Sequence, residues 1–208
     1  MEKKYNLKKK EKIDRENEKK KKSRNIQLEK NSINLNKISL NNILDNKINN
    51  NLKIEIEKIT SEDKAYIAGF LDGDGSLLTQ IVKGSYKYGF TIRYTIQFVQ
   101  SKKNHNIMLW LKSRLNVGNI RIRKDDISEY AITGKYAIAL IIKVLLPYLK
   151  IKKELSYLIL KIIEEDCNIS CQQDFLHVCV LVDSTLNLTY GKNRKINSLI
   201  VKQYFDSP

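Results

Sequence analysis

The chain has 208 residues, with 38 Lys and Arg against 23 Asp and Glu, a formal net charge of +15. Such a surface attracts polyanions, nucleic acid first among them. The longest apolar stretch, Tyr136 to Leu149, is broken by Lys143 and Pro147 and is too short to span a bilayer, so no membrane partner is expected.

Residues 1–60 hold 17 Lys and Arg against 9 Asp and Glu, and the remainder 21 against 14, so both parts are basic independently. Residues 1–58 are rich in Lys, Asn and Ile, with the runs Lys8-Lys9-Lys10 and Lys19-Lys20-Lys21-Lys22 and no Gly, Pro, Cys or Trp. They read as a disordered or loosely helical basic extension, with a weak helical pattern near 33–48. The stretch is too acidic and too poor in Arg for a transit peptide. Lys, Asn and Ile have A+T-rich codons, which suits an organelle, chloroplast or mitochondrion.

One domain, 59–208, follows. Thr60 is its N-cap, with Asp63 three residues on in a capping-box arrangement, and Ser61, Glu62 and Asp63 fill the first helical turn. Ala65, Gly69 and Gly73 recur every four residues and form a small-residue stripe that lets another helix approach closely. Ile67, Phe70 and Leu71 point to a core. A Gly inside a helix costs about 1 kcal/mol relative to Ala, and a C-cap followed by a turn explains Gly73 or Gly75 but not Gly69. Asp72 and Asp74 fall at the negative pole of the helix dipole, a placement that a hard divalent cation reverses. The alternative is a solvated Asp-Gly turn.

After this helix the pattern predicts a strand Ser76–Lys83, a turn at Gly84-Ser85 and a strand Tyr88–Gln100. In the second strand Ile92, Tyr94, Ile96 and Phe98 alternate with Thr91, Arg93, Thr95 and Gln97. A helix Asn104–Leu115 is followed by a hairpin that sets Ile120, Ile122, Tyr130 and Ile132 against Asn119, Arg121, Arg123, Glu129 and Thr133. Helices at Lys135–Leu146, 153–166, 173–187 and 196–205 complete an α+β plan, α-β-β-α-β-β-α with C-terminal helices, with an antiparallel sheet. One sheet face collects Gln80, Arg93, Thr95, Gln97, Asn119, Arg121, Arg123, Glu129 and Thr133. It is either a solvated face or a set of donors and acceptors suited to base edges in a major groove. Cys167, Cys171, His177 and Cys179 match no common zinc spacing, and the three cysteines read as buried, reduced thiols.

Residues Ile67 to Gly75 match the nine-residue signature of the LAGLIDADG homing endonucleases, with Gly69, Asp72, Asp74 and Gly75 identical and Ile67, Phe70 and Leu71 conservatively changed. From Tyr66 to about Val201 the chain resembles the single-motif, homodimeric members of that family encoded in group I introns. Gln97-Phe98-Val99-Gln100, Leu149-Lys150-Ile151-Lys152, Leu160-Lys161-Ile162-Ile163-Glu164 and Lys192-Asn193-Arg194-Lys195 carry the likeness beyond the motif.

The resemblance implies an antiparallel β-saddle seated in the major groove of double-stranded DNA. It implies a homodimer joined through the motif helices, with Ala65, Ala68, Gly69 and Asp72 at the interface. It makes Asp74 the metal-binding carboxylate, assisted by the Gly73 carbonyl, with Mg2+ or another divalent cation such as Mn2+ as cofactor. Gln100 would position water, and Lys152 would support the nucleophile or developing charge. Asp72 mainly serves structure in the family's pattern.

The DNA-contacting set implied is Gln80, Ser85, Tyr86, Thr91, Arg93, Gln97, Asn119, Arg121, Arg123, Glu129, Lys192 and Arg194. Asn104 falls where the best-known relatives carry a basic residue, and the extension has no counterpart. The activity implied is a double-strand break in a near-palindromic target by metal-dependent hydrolysis. The alternatives are a maturase that binds its host group I intron RNA, and a DNA-binding protein without activity. Retention of Asp74, Gln100 and Lys152 together argues against the last.

Overall fold

A computed structural model describes residues 47–48, 50–189 and 194–207. The order of elements is α1 Asn50–Glu57, α2 Ser61–Gly73, β1 Gly75–Lys83, β2 Phe90–Ser101, α3 His105–Leu115, β3 Asn119–Ile122, β4 Ile127–Thr133, α4 Lys135–Leu145, α5 Lys153–Cys167, α6 Gln172–Ser184 and α7 Ser198–Asp206. The strands form one antiparallel sheet in the order β1-β2-β4-β3.

The alternation read in β2 sorts its two faces. Phe90, Ile92, Tyr94, Ile96 and Phe98 are buried, as are Leu77 and Ile81 of β1 and Tyr130 and Ile132 of β4. Helices α2 to α6 all contact the sheet. They supply Ile67, Leu71, Met108, Leu111, Leu115, Ile138, Ile141, Ile159 and Phe175 to the same core. Each large apolar side chain buried in this way contributes about 1.5–3 kcal/mol. The aromatic row Phe70, Phe98 and Tyr130 stacks through it, with ring centroids 5.6 and 6.0 Å apart.

Helix α1 departs from the sequence reading, which assigned its residues to the loosely ordered extension. Ile56 is fully buried, Ile59 nearly so, and α1 packs on α3 and α4. The Asn116 side chain hydrogen-bonds Glu55, and Lys64 Nζ donates to Glu57 O at 3.1 Å. The weak helical pattern at 33–48 lies outside the described residues except at 47 and 48. No described helix is long and apolar enough to cross a membrane.

The Cys and His side chains near the C-terminus are not gathered. Cys171 is exposed at the head of α6, His177 is exposed, Cys167 is half-buried, and only Cys179 is fully buried. The reading of all three thiols as buried therefore holds for Cys179 alone, where burial pushes the thiol pKa up to about 12.

Candidate active site and nucleic-acid face

Helix α2 starts where its cap dictates: Thr60 Oγ1 accepts from Asp63 N at 3.2 Å. The reciprocal half of the capping box is absent, because the Asp63 carboxylate pairs with Arg114 Nε at 3.0 Å instead. At the other end Asp74 N donates to Phe70 O at 3.0 Å, closing the helix with Asp74 as its C-cap. The chain then turns sharply into β1. A Cβ at Gly75 would lie 2.7 Å from Leu71 Cα, a separation that only glycine permits.

The two motif carboxylates diverge at this helix end. Asp72 is buried and accepts from three successive backbone N–H groups: Lys150 at 2.7 Å, Ile151 at 3.0 Å and Lys152 at 2.9 Å. Burial alone would raise its pKa, but these donors outweigh it, and the Lys152 charge adds to them, so the carboxyl stays below its ordinary value. Lys152 Nζ donates back to Asp72 O at 2.6 Å. Asp72 thus fixes the turn that places Lys152 at the head of α5. Burial lowers the Lys152 pKa, opposed by the charges of Asp72 and Asp74.

Asp74 is exposed and accepts from Gln100 Nε2 at 3.1 Å. Gln100 belongs to the last turn of the β2 ladder, opposite Ser128 of β4. Asp74, Gln100 and Lys152, drawn from a helix end, a strand end and a loop, therefore come together. An open cleft of about 380 Å³ begins at Asp74 and Gln100 and is completed by Val99, Ser101, Arg123 and Ile127.

The cleft leads onto the sheet face that carries no helix. Strand register lays the side chains of this face out in rows: Gln80 beside Arg93, and Ser76, Gln97, Ala131 and Asn119 across the four strands. Gln80, Arg93, Asn119, Arg121, Arg123 and Thr133 are exposed, and Thr91, Thr95 and Gln97 are half-exposed. Ser85 and Tyr86 stand exposed in the β1–β2 turn.

Two of the expected contacts are placed otherwise. Glu129 is directly opposite Arg121, and the pair is bidentate: Arg121 Nε donates to Oε1 and Nη2 to Oε2, both at 3.0 Å. The Glu129 side chain is only 5% exposed, against 70% for Arg121, so Glu129 serves to hold Arg121 rather than to face a ligand. Arg194 is turned inward, donating to Val182 O and Thr185 Oγ1, each at 2.6 Å, which removes it from the nucleic-acid face. Its pKa is lowered by burial, against the pull of Asp183. Lys192 lies outside the described residues.

The helix stripe also divides. Ala65, Gly69 and Gly73 are exposed, and a Cβ built on either glycine meets nothing within 4 Å. Ala68 is fully buried within its own chain, and Asp72 is committed to the 150–152 turn, so neither is available to a second copy. The Asn104 side chain, which donates to Gln100, was visible in the sequence only as a departure from the family's pattern. The Arg121–Glu129 pair follows from a three-residue connection, Lys124 to Asp126, across which Arg123 N donates to Ile127 O at 2.8 Å, a register that the linear pattern does not specify.

The chain is thus an α+β domain with one open polar sheet face and a carboxylate presented at a helix end beside it. Residues 67–163 match the family model described as LAGLIDADG endonuclease. The chain is 34% identical over 152 residues to DNA endonuclease I-CreI of Chlamydomonas reinhardtii, covering 72% of this chain and 93% of that protein. It is 33% identical over 133 residues to DNA endonuclease I-CvuI of Chlorella vulgaris, covering 64% and 83%. The crystal structure of I-CvuI in complex with the I-CreI target in 2 mM Mg superposes with a TM-score of 0.66 at 31% identity, over 69% of this chain and 92% of that one. The archaeal intron-encoded homing endonuclease I-Vdi141I, complexed with DNA, shares the fold at a TM-score of 0.62 and 18% identity, over 70% and 95%. The chain belongs to the LAGLIDADG endonuclease family.

Proposed function

We propose that this chain is a site-specific homing endonuclease that acts as a homodimer and breaks both strands of a near-palindromic DNA target. The observation that carries the reading is the convergence of Asp74, Gln100 and Lys152 at the edge of an uncovered polar sheet face. A single copy offers one exposed carboxylate there, and no group of three His, Cys, Asp or Glu side chains suited to a metal occurs among the described residues. Two copies joined along the Ala65/Gly69/Gly73 stripe would bring two such carboxylates to one axis. Two-fold symmetry of the protein then asks for two-fold symmetry in the site it reads.

The donor set fits a hard divalent cation, since a carboxylate and a backbone carbonyl are both oxygen ligands. Asp74 and the Gly73 carbonyl of each copy would hold it, and Mg2+ is the ion proposed. When bound, such an ion polarises a phosphate and stabilises the leaving oxygen. The chain's own groups do the rest. Gln100 presents its amide at Asp74 and orients water. Lys152, held by Asp72, places an ammonium of lowered pKa beside the phosphate. The polar rows of the sheet, with Arg93, Gln97, Arg121 and Arg123, read base edges.

The crystal structures of I-CvuI with DNA, one in 2 mM Mg with the DNA not cleaved and one in 2 mM Ca, support the DNA partner and are consistent with a divalent ion. An organellar home is supported by the A+T-rich codon families of residues 1–58.

The test is incubation of the purified protein and Mg2+ with a randomised duplex library, followed by sequencing of cut ends. The expected result is one enriched, near-palindromic site cut at symmetric positions on both strands. Intact duplex throughout, or cutting without sequence preference, would remove the proposal.

A further inference from the structure

Asn104 closes a chain of side chains that ends on Asp74. Gln100 Nε2 donates to Asp74 Oδ2 at 3.1 Å, while Gln100 Oε1 accepts from Asn104 Nδ2 at 3.3 Å and from the Ser101 backbone N–H at 3.1 Å. The two ends of this chain have fixed polarity. A carboxylate only accepts, and a backbone N–H only donates. Gln100 must therefore turn its carbonyl to Ser101 and its NH2 to Asp74, and Asn104 must present its own NH2 to that carbonyl. No other orientation of the two amides satisfies every partner.

Asn104 is exposed and makes no side-chain capping bond to α3, which it precedes. Its amide is not spent on the fold.

We infer that Asn104 is a positioning residue for the cleavage reaction. By donating to Gln100 Oε1, it locks the Gln100 amide with its NH2 toward Asp74. Without that donor the amide is held on its carbonyl side by Ser101 N–H alone. A flipped amide would set a carbonyl against the Asp74 carboxylate and lose the preset geometry that catalysis depends on. The inference rests on the endonuclease reading, with Gln100 and Asp74 in the reacting centre.

Single-turnover cleavage in Mg2+ and DNA affinity in Ca2+ are measured on the full chain for the wild type, Asn104→Leu, Asn104→Lys, Gln100→Ala and the Gln100→Ala/Asn104→Leu double variant. Removing a group that orients a catalytic side chain costs on the order of 10–100-fold. Asn104→Leu is expected to lose cleavage on that scale with its melting temperature and DNA affinity unchanged. Asn104→Lys, which can donate but not accept, should retain much more. In the Gln100→Ala background the Leu substitution should cost nothing further. Wild-type cleavage by Asn104→Leu, equal costs in both backgrounds, or a Lys variant no better than Leu would each overturn the assignment.

Should the Leu variant not fold, Asn104→Asp, equal in size and unable to donate when ionised, carries the same cycle. The Gln100 side-chain amide resonance supplies a readout independent of catalysis. It should shift and gain mobility in Asn104→Leu, and an unchanged signal would count against the lock. A wild-type protein that cuts no DNA would instead sink the endonuclease reading, leaving the resonance to decide the role of Asn104.

Discussion

Asp72 and Asp74 carry the same carboxylate two residues apart, and their partners separate them. Asp72 accepts three backbone N–H groups from the 150–152 turn, whereas Asp74 faces solvent with Gln100 beside it. Asp72→Asn keeps the shape but replaces one acceptor oxygen with an NH2 that meets donors. Leaving buried donors unsatisfied in this way should lower stability by about 2–4 kcal/mol, readable as a fall in melting temperature. The pH dependence has a definite sign. The folded-state pKa of Asp72 lies below the ordinary 3.8, so its contribution is complete above that value and is lost as pH falls through the lowered one. The gap in melting temperature between wild type and Asp72→Asn should therefore narrow in acid below that value. Asp74→Asn should do the reverse: melting unchanged, DNA affinity largely kept, cleavage abolished. Cleavage at the wild-type rate by the pure Asn variant would remove Asp74 from the reacting centre.

At the level of elements, the β1–β2 turn that carries Ser85 and Tyr86 is braced from behind. Tyr88 packs on Phe175 with ring centroids 5.4 Å apart and donates to Ser170 O at 3.1 Å, and Phe90 meets Tyr204 of α7 edge-on at 5.2 Å. Lys83 Nζ lies over the Tyr204 ring at 5.4 Å. Gly89 has φ +72, and a Cβ there would lie 2.8 Å from that ring, so glycine is required twice over. Tyr204→Ala should cost about 0.5–1.5 kcal/mol for the lost aromatic pair. It should also speed hydrogen exchange across residues 84–89 and weaken DNA binding, with the saturated cleavage rate retained. Exchange in the turn as slow as in the wild type would show that α7 is not its brace.

The strands and the motif helix were legible because alternation of two and a cap at Thr60 are local signals. Helix α1 was not. Leu52, Ile54 and Ile56 alternate like a strand inside a Lys/Asn-rich stretch, and only packing on α3 and α4 selects the helical set Leu52, Ile56 and Ile59. That Asp74, Gln100 and Lys152 lie together was suggested only by the family's pattern. The inward turn of Arg194 and the capture of Glu129 depend on contacts between distant elements, which a linear pattern does not encode.

For the whole molecule, charge and symmetry act on different steps. A chain of formal charge +15 binds DNA with strong salt dependence through counterion release, and two like-charged copies repel each other. Pairing then needs a short-range attraction. The exposed stripe on α2 offers one. Gly69 and Gly73 each cost about 1 kcal/mol relative to Ala in a helix, and a Cβ at either meets no atom of the chain's own fold. The vacancy is useful only to another backbone. Two apolar side chains are also exposed, Tyr66 of the same helix at 54% and Ile151 of the turn that Asp72 holds at 74%. Gly69→Leu should therefore leave the monomer's fold and melting intact, because nothing internal is displaced. It should hold the second helix away and separate the two Asp74 carboxylates. Sedimentation at moderate salt should show the mass of one chain for the variant against the mass of two expected for the wild type, and cleavage should be lost together with the proposed dimer. A variant that still sediments as a pair would place the contact between copies on some other face, and the two carboxylates would then not share an axis.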